Sequence, residues 1–195
     1  MKSPYSRAAA ALLITVGLAG CGGKASFDIS GTIVNLRNAG LVLANNGDTV
    51  APVAGASTFS FPNQVSYGES YNVTVQAQPA HMTCGVISGG SGTAGQYTSI
   101  TVALSCVQNT YAVGGSISGL TVAGLVLANG STATTLTPAA AATTFAMPDV
   151  VADGSFYGVT VQTQPPGLVC AVANGSGTVG TVPVGNIAVT CVPAT

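Results

Sequence analysis

Tyr71-Asn72-Val73-Thr74-Val75-Gln76-Ala77-Gln78-Pro79 returns 86 residues later as Tyr157-Gly158-Val159-Thr160-Val161-Gln162-Thr163-Gln164-Pro165. In the first copy Tyr71, Val73, Val75 and Ala77 alternate with Asn72, Thr74, Gln76 and Gln78. A period of two puts the first set on one face of a strand and the polar set on the other, so the stretch reads as a half-buried β-strand. Its return in the same form shows that the chain is built from two copies of one unit.

The duplication covers most of the chain. Gly40 to Asn45 (GLVLAN) recurs as Gly124 to Asn129, and Phe59 to Pro62 (FSFP) as Phe145 to Pro148 (FAMP). Cys84 and Cys106 match Cys170 and Cys191, and the offsets stay between 84 and 86 residues. The units span residues 27–107 and 111–193, with a linker of residues 108–110. Ile100, Val102, Leu104 and Cys106 share one face of another strand, as do Ile187, Val189 and Cys191. Asn46-Gly47 and Asn129-Gly130 follow the GLVLA strands, where a type I′ hairpin turn wants two residues of positive φ. About seven short strands per unit predict an all-β chain of two tandem small β-sandwiches, immunoglobulin-like or transthyretin-like.

Four cysteines fall as one pair per unit, on inward faces of strands that flank a glycine-rich tip. We expect disulfides Cys84–Cys106 and Cys170–Cys191; cross-repeat pairing would break the symmetry of the duplication. Each closes a loop of about 20 residues, which the chain-entropy model values at roughly 3 kcal/mol. An exported compartment permits the oxidation.

GLVLAN, FSFP, YxVTVQxQP and the C…GSGT…C spacing resemble the cysteine-paired, immunoglobulin-like repeats of bacterial secreted and cell-surface proteins. The resemblance implies architecture rather than activity, since sandwiches host many functions. In many such proteins the repeats are stalks or spacers carrying another domain. Here Thr195 follows the recurring Cys191-Val192 by three residues, so no carried domain is expected at the carboxyl end.

Ahead of the repeats, Lys2 and Arg7 precede an uncharged stretch from Ala8 to Leu18. A basic start followed by an apolar core too short to span a bilayer reads as a secretory signal. Leu18-Ala19-Gly20-Cys21 resembles the lipobox of bacterial lipoproteins. That resemblance implies cleavage between Gly20 and Cys21, removal of residues 1–20, and lipidation of Cys21 with a diacylglyceryl group and a further acyl chain such as palmitate. Position 22 is Gly rather than Asp, which by the same resemblance favours the outer membrane of the cell envelope. Residues 21–26 then form a short tether, and the first sandwich must lie against the membrane surface.

Only 5% of residues are charged, against about 25% in ordinary globular proteins. No basic cluster follows the signal, so nucleic acid is excluded as a partner. Gly90-Ser91-Gly92-Thr93-Ala94-Gly95 and Gly175-Ser176-Gly177-Thr178-Val179-Gly180 spell the dinucleotide-binding pattern. However, no helix follows and no acid lies about 20 positions on, so the glycines are read as turn-formers. His81 is the single histidine and reads as a surface-loop residue; its counterpart is Gly167, and no GxSxG elbow accompanies it. Metal is not expected, because the cysteines lack CxxC spacing, and Asp48, Asp149 and Asp153 lack the alternation of a calcium loop. No cofactor and no catalytic residues are assigned. Tyr67, Tyr97 and Phe156 remain as candidates for exposed contacts, while Tyr71 and Tyr157 point inward. The expected function is therefore a non-catalytic envelope lipoprotein acting as a structural or protein-interaction module. The alternative is a small-ligand or glycan-binding lipoprotein using the loops near Tyr67 and Tyr97, and the least favoured is an enzyme of unfamiliar type centred on His81.

Overall fold

The computed structural model describes residues 24–195, and every element in that range is a strand. Gly20 and Cys21, the expected cleavage and lipidation residues, lie outside the described residues. Among those described, no helix is long and apolar enough to cross a membrane.

The first repeat contains β1 (Ser26–Phe27), β2 (Ile29–Val34), β3 (Val42–Asn45), β4 (Asp48–Val50) and β5 (Thr58–Ser60). It continues with β6 (Val65–Ser66), β7 (Ser70–Ala77), β8 (Met82–Ser88), β9 (Ser91–Thr93) and β10 (Ile100–Gln108). One sheet has the order β4-β3-β7-β9, the other β5-β2-β10-β8, and β1 pairs with β6 in a two-stranded ribbon. The second repeat copies this arrangement with β11 (Thr110–Tyr111), β12 (Val113–Ser118), β13 (Val126–Asn129), β14 (Thr134–Leu136) and β15 (Thr144–Ala146). β16 (Val151–Ala152), β17 (Phe156–Thr163), β18 (Leu168–Ala173), β19 (Ser176–Thr178) and β20 (Val184–Pro193) complete it. β10 runs through Gln108 and β11 begins at Thr110, so Asn109 alone separates the repeats.

The alternation in β7 and β10 produces the core. Tyr71 and Val73 of β7 are buried, and Ile100, Val102, Leu104 and Cys106 of β10 face them from the other sheet side of the sandwich. The second repeat has its own cluster, from Val113 to Cys191. Within each β5-β2-β10-β8 type of sheet, the repeat's first long strand lies parallel to its last: Ile29 is opposite Ile100 and Ile33 opposite Leu104. The close packing depends on small residues. A Cβ at Gly31 would overlap the Val102 carbonyl oxygen, and one at Gly115 would overlap that of Ile187.

Cys84 lies directly opposite Cys106 on adjacent antiparallel strands, and Cys170 opposite Cys191. Both pairs are disulfide-bonded, each within one sheet rather than between sheets. Asn46 (φ 48°) and Gly47 (φ 94°) form a two-residue hairpin turn with both residues at positive φ. The Asn129-Gly130 expectation is corrected. β13 and β14 are joined by four residues, 130–133, and the left-handed position falls on Ala133 (φ 55°). Two inserted residues, which also move the repeat offset from 84 to 86, replace the tight turn with a wider one.

Candidate functional site

One end of the first repeat carries a cluster of polar side chains around the β3–β4 turn. The tight β3–β4 turn places Asn46 so that its Nδ2 donates to the Ser70 carbonyl at 2.7 Å. Buried Asn45 accepts the Asn72 N–H at 2.8 Å. Asp48 accepts the Thr49 N–H at 2.9 Å and the Asn63 N–H at 3.2 Å. Glu69 accepts the Ser66 N–H at 3.3 Å, and Asp28 accepts from Gln64 Nε2 at 2.9 Å. Asn45, Asn46, Asp48, Asn63, Gln64 and Glu69 border a cleft of about 340 Å³ with no Lys or Arg in its wall. Its carboxylates hold turns together, a role that needs no ligand. In the second repeat the positions of Asp48, Gln64 and Glu69 carry Thr134, Val150 and Ser155, so the cleft's chemistry belongs to one copy only.

Tyr67 and Tyr97 lie at this same end. The Tyr67 N–H donates to the Ala25 carbonyl at 2.7 Å, and the Tyr67 ring packs over Gly95, two residues before Tyr97. Both rings are largely exposed, at 59% and 76%. Phe156, 76% exposed, begins β17 in the other copy, and Tyr71 and Tyr157 are buried as expected.

The glycine-rich segments are strands. Ser91–Thr93 pairs with the start of β7, and Ser176–Thr178 with the start of β17. The middle glycine of each segment lies under a tyrosine: a Cβ at Gly92 would come within 2.8 Å of the Tyr71 hydroxyl, and one at Gly177 within 2.8 Å of that of Tyr157. These glycines serve core packing. They do not open a phosphate cradle before a helix.

His81 requires a correction. It is an exposed turn residue, as expected, and the correction is only that its Nδ1 meets Asp153 Oδ1 of the second repeat at 2.9 Å. The histidine is half exposed, whereas the Asp153 side chain is 3% exposed. The pair resembles the orienting half of a serine triad. However, Nε2 lies over the Gly154 backbone, and no hydroxyl among the described residues bonds to it. Asp48 caps the β3–β4 turn, Asp149 is exposed before β16, and Asp153 is buried against His81, so the three candidate calcium ligands lie apart. No group of three or more His, Cys, Asp or Glu among the described residues is placed to hold a metal ion.

The His81–Asp153 contact and the cleft join residues far apart in the sequence, and each occurs once. The signal for the contact lies at positions where the copies differ in charge or size: His81 against Gly167, noted above, and Asp153 against Tyr67, which was not.

No family model matches the chain, and no curated protein matches it by sequence. Among solved structures, a shaft pilin SpaA of Lactobacillus rhamnosus GG aligns over 88% of this chain and 99% of its own, with 12% identity and a TM-score of 0.27. The major pilin protein of a Streptococcus pyogenes serotype aligns over 88% and 98%, with 11% identity and a TM-score of 0.32. Superpositions at these scores do not establish a shared strand arrangement.

Proposed function

We propose that this chain is a non-catalytic lipoprotein of a bacterial envelope, held in the outer membrane by acyl chains on Cys21. Its two sandwiches serve as a structural or protein-interaction module at the cell surface or in the periplasm. The observation that carries the reading is how soon the folded part begins: the carbonyl of Ala25, four residues after Cys21, is already bonded to Tyr67. Four extended residues span at most roughly 14 Å. The first sandwich therefore stands on the membrane, and the second is attached at its far end, beyond Gln108. Two or three acyl chains, at about 0.8 kcal/mol per buried methylene, make such an anchor durable. The single histidine, paired with Asp153 and bonded to no hydroxyl among the described residues, supports a non-catalytic role.

Two experiments test this. Crosslinking of the protein in intact envelopes is expected to recover an envelope protein; failure to recover one, together with measurable turnover of a substrate, would reject the reading. Protease accessibility of a carboxyl-terminal tag, before and after permeabilisation, distinguishes the cell surface from the periplasm.

A second reading, glycan binding, is favoured by exposed Tyr67 and Tyr97 at the same end as the polar cleft. A glycan array without signal at high protein concentration would reject it.

A further inference from the structure

The two repeats meet through a closed ring of hydrogen bonds. Asn109, the single residue between β10 and β11, donates its N–H to the His81 carbonyl at 3.0 Å. Its own carbonyl accepts the Asp153 N–H at 2.9 Å, and the Asp153 carboxylate meets the His81 ring at 2.9 Å. Two further side-chain bonds brace the ring: Thr83 Oγ1 donates to Asn109 Oδ1 at 2.8 Å, and Gln108 Nε2 donates to the Asp153 carbonyl at 3.2 Å. On the far side, Thr110 and Tyr111 of β11 pair with Ala152 and Val151 of β16, directly before Asp153. Gly154 leaves room for the imidazole, since a Cβ there would come within 3.3 Å of Nε2.

The two unjoined ends of the pair separate the general from the specific parts of this contact. Ala194 N–H donates to the Gly167 carbonyl at 2.9 Å, as Asn109 does to His81, and Tyr67 N–H donates to Ala25 as Asp153 does to Asn109. The backbone bonds thus belong to every repeat end. The side chains do not. His81, Gln108 and Asn109 are replaced by Gly167, Pro193 and Ala194 in the second copy, and Asp153 by Tyr67 in the first. A carboxylate only 3% exposed loses hydration that a partner must replace. Any reorientation that withdrew His81 would leave Asp153 unpaired or force it into water, so one geometry is favoured over its neighbours.

We propose that His81, Gln108 and Asp153 form an orientation lock that makes the two repeats a single rigid body with a fixed angle between them. A one-residue linker limits reach, but by itself it still permits rotation about its own backbone torsions; the two side-chain bonds that reach Asp153, from His81 and from Gln108, remove that freedom. The lock is independent of lipidation and of the proposed module role, and it holds whatever the chain binds.

The test is the distribution of distances between two spin labels in the full chain, measured by double electron–electron resonance. The labels are attached through ketone-bearing residues at exposed Val53 and Val122, one in each repeat, which leaves the disulfides untouched. His81→Gly is the first variant. The backbone there has φ 61°, a conformation glycine adopts freely, so the substitution removes the ring without straining the chain. Gln108→Ala, which removes the second side-chain bond to Asp153 and leaves every backbone bond in place, is the second variant and guards against misfolding of the first. The unsubstituted chain should give one narrow distance peak, and each variant a peak at least about twice as wide with an unchanged circular dichroism spectrum. A broad distribution in the unsubstituted chain would overturn the proposal. So would a narrow one that both variants retain.

Discussion

Gln78 clasps the backbone of Cys84 from outside the sheet: its Oε1 accepts the Cys84 N–H at 2.7 Å, and its Nε2 donates to the Cys84 carbonyl at 3.0 Å. Gln164 repeats the clasp on Cys170 at 2.7 and 2.9 Å. The cause lies in the strand pairing. Cys84 and Cys106 are opposite each other with Cα atoms only 4.0 Å apart, the spacing of a pair that does not exchange backbone bonds. The Cys84 N–H and carbonyl therefore face away from β10, over the open edge of the sheet, and the glutamine amide occupies them as a neighbouring strand would.

Exposed edges with so little charge invite pairing with another chain, and the clasp blocks the edge beside the disulfide. Gln78→Ala should destabilise the first repeat by about 1 kcal/mol, the net value of such bonds at a partly solvated site. That corresponds to a melting-point fall of roughly 4–8 °C for a domain of this size. The Gln78→Ala, Gln164→Ala double variant should also self-associate at concentrations where the parent is monodisperse by light scattering. Unchanged melting and monodispersity would contradict the role given to the two glutamines.

The glycine-rich segments make a graded prediction. Gly177→Ala drives a methyl group against the Tyr157 ring and should cost about 1–3 kcal/mol, the usual range for overpacking. Gly180→Ala should be close to neutral, because a Cβ there meets nothing within 4 Å. Thermal unfolding of the two variants side by side checks the difference. Equal effects would mean that the segment's glycines are not selected by tyrosine packing.

Each disulfide bridges a sequence separation of 22 or 21 residues. Paired Cys84→Ser and Cys106→Ser substitutions should lower the stability of the first repeat by roughly 3 kcal/mol, and the Cys170–Cys191 pair should do the same in the second. A non-reducing peptide map should contain only these two links. Any Cys84–Cys170 or Cys84–Cys191 peptide would overturn the assignment.

Asn129 is fully buried, and its Oδ1 accepts from the Gly158 N–H at 3.0 Å and from Ser131 Oγ at 3.0 Å, while its Nδ2 has no partner. Asn129→Ala should destabilise the second repeat by about 1–3 kcal/mol, because it strands the Gly158 donor as well. Denaturant titration followed by tyrosine fluorescence measures this. A neutral substitution would show that the wide β13–β14 loop closes without the asparagine.

Much of the fold was legible because it is written in short periods. The alternation in Tyr71–Val75 and Ile100–Cys106 names the inward face directly, although Ala77 at the end of β7 is exposed, and positive φ at Asn46-Gly47 follows from residue type. The Asn129-Gly130 reading failed because the same dipeptide sits before a two-residue insertion, and loop length, not the dipeptide, sets the turn. The parallel pairing of β2 with β10 was illegible for a different reason. It joins Ile29 to Ile100 across the whole repeat, and nothing local encodes a partner that far away. The His81–Asp153 contact was hidden further still. It spans two repeats and exists once, so the symmetry that revealed the architecture concealed the joint.

Intact-mass analysis of protein extracted from membranes tests the proposed acyl anchor on Cys21. The expected product is a chain beginning at Cys21 with the added mass of a diacylglyceryl group and a further acyl chain, while Cys21→Ser yields unlipidated protein outside the membrane fraction. A mature chain without acyl mass, or a Cys21→Ser variant that stays equally membrane-bound, would contradict it.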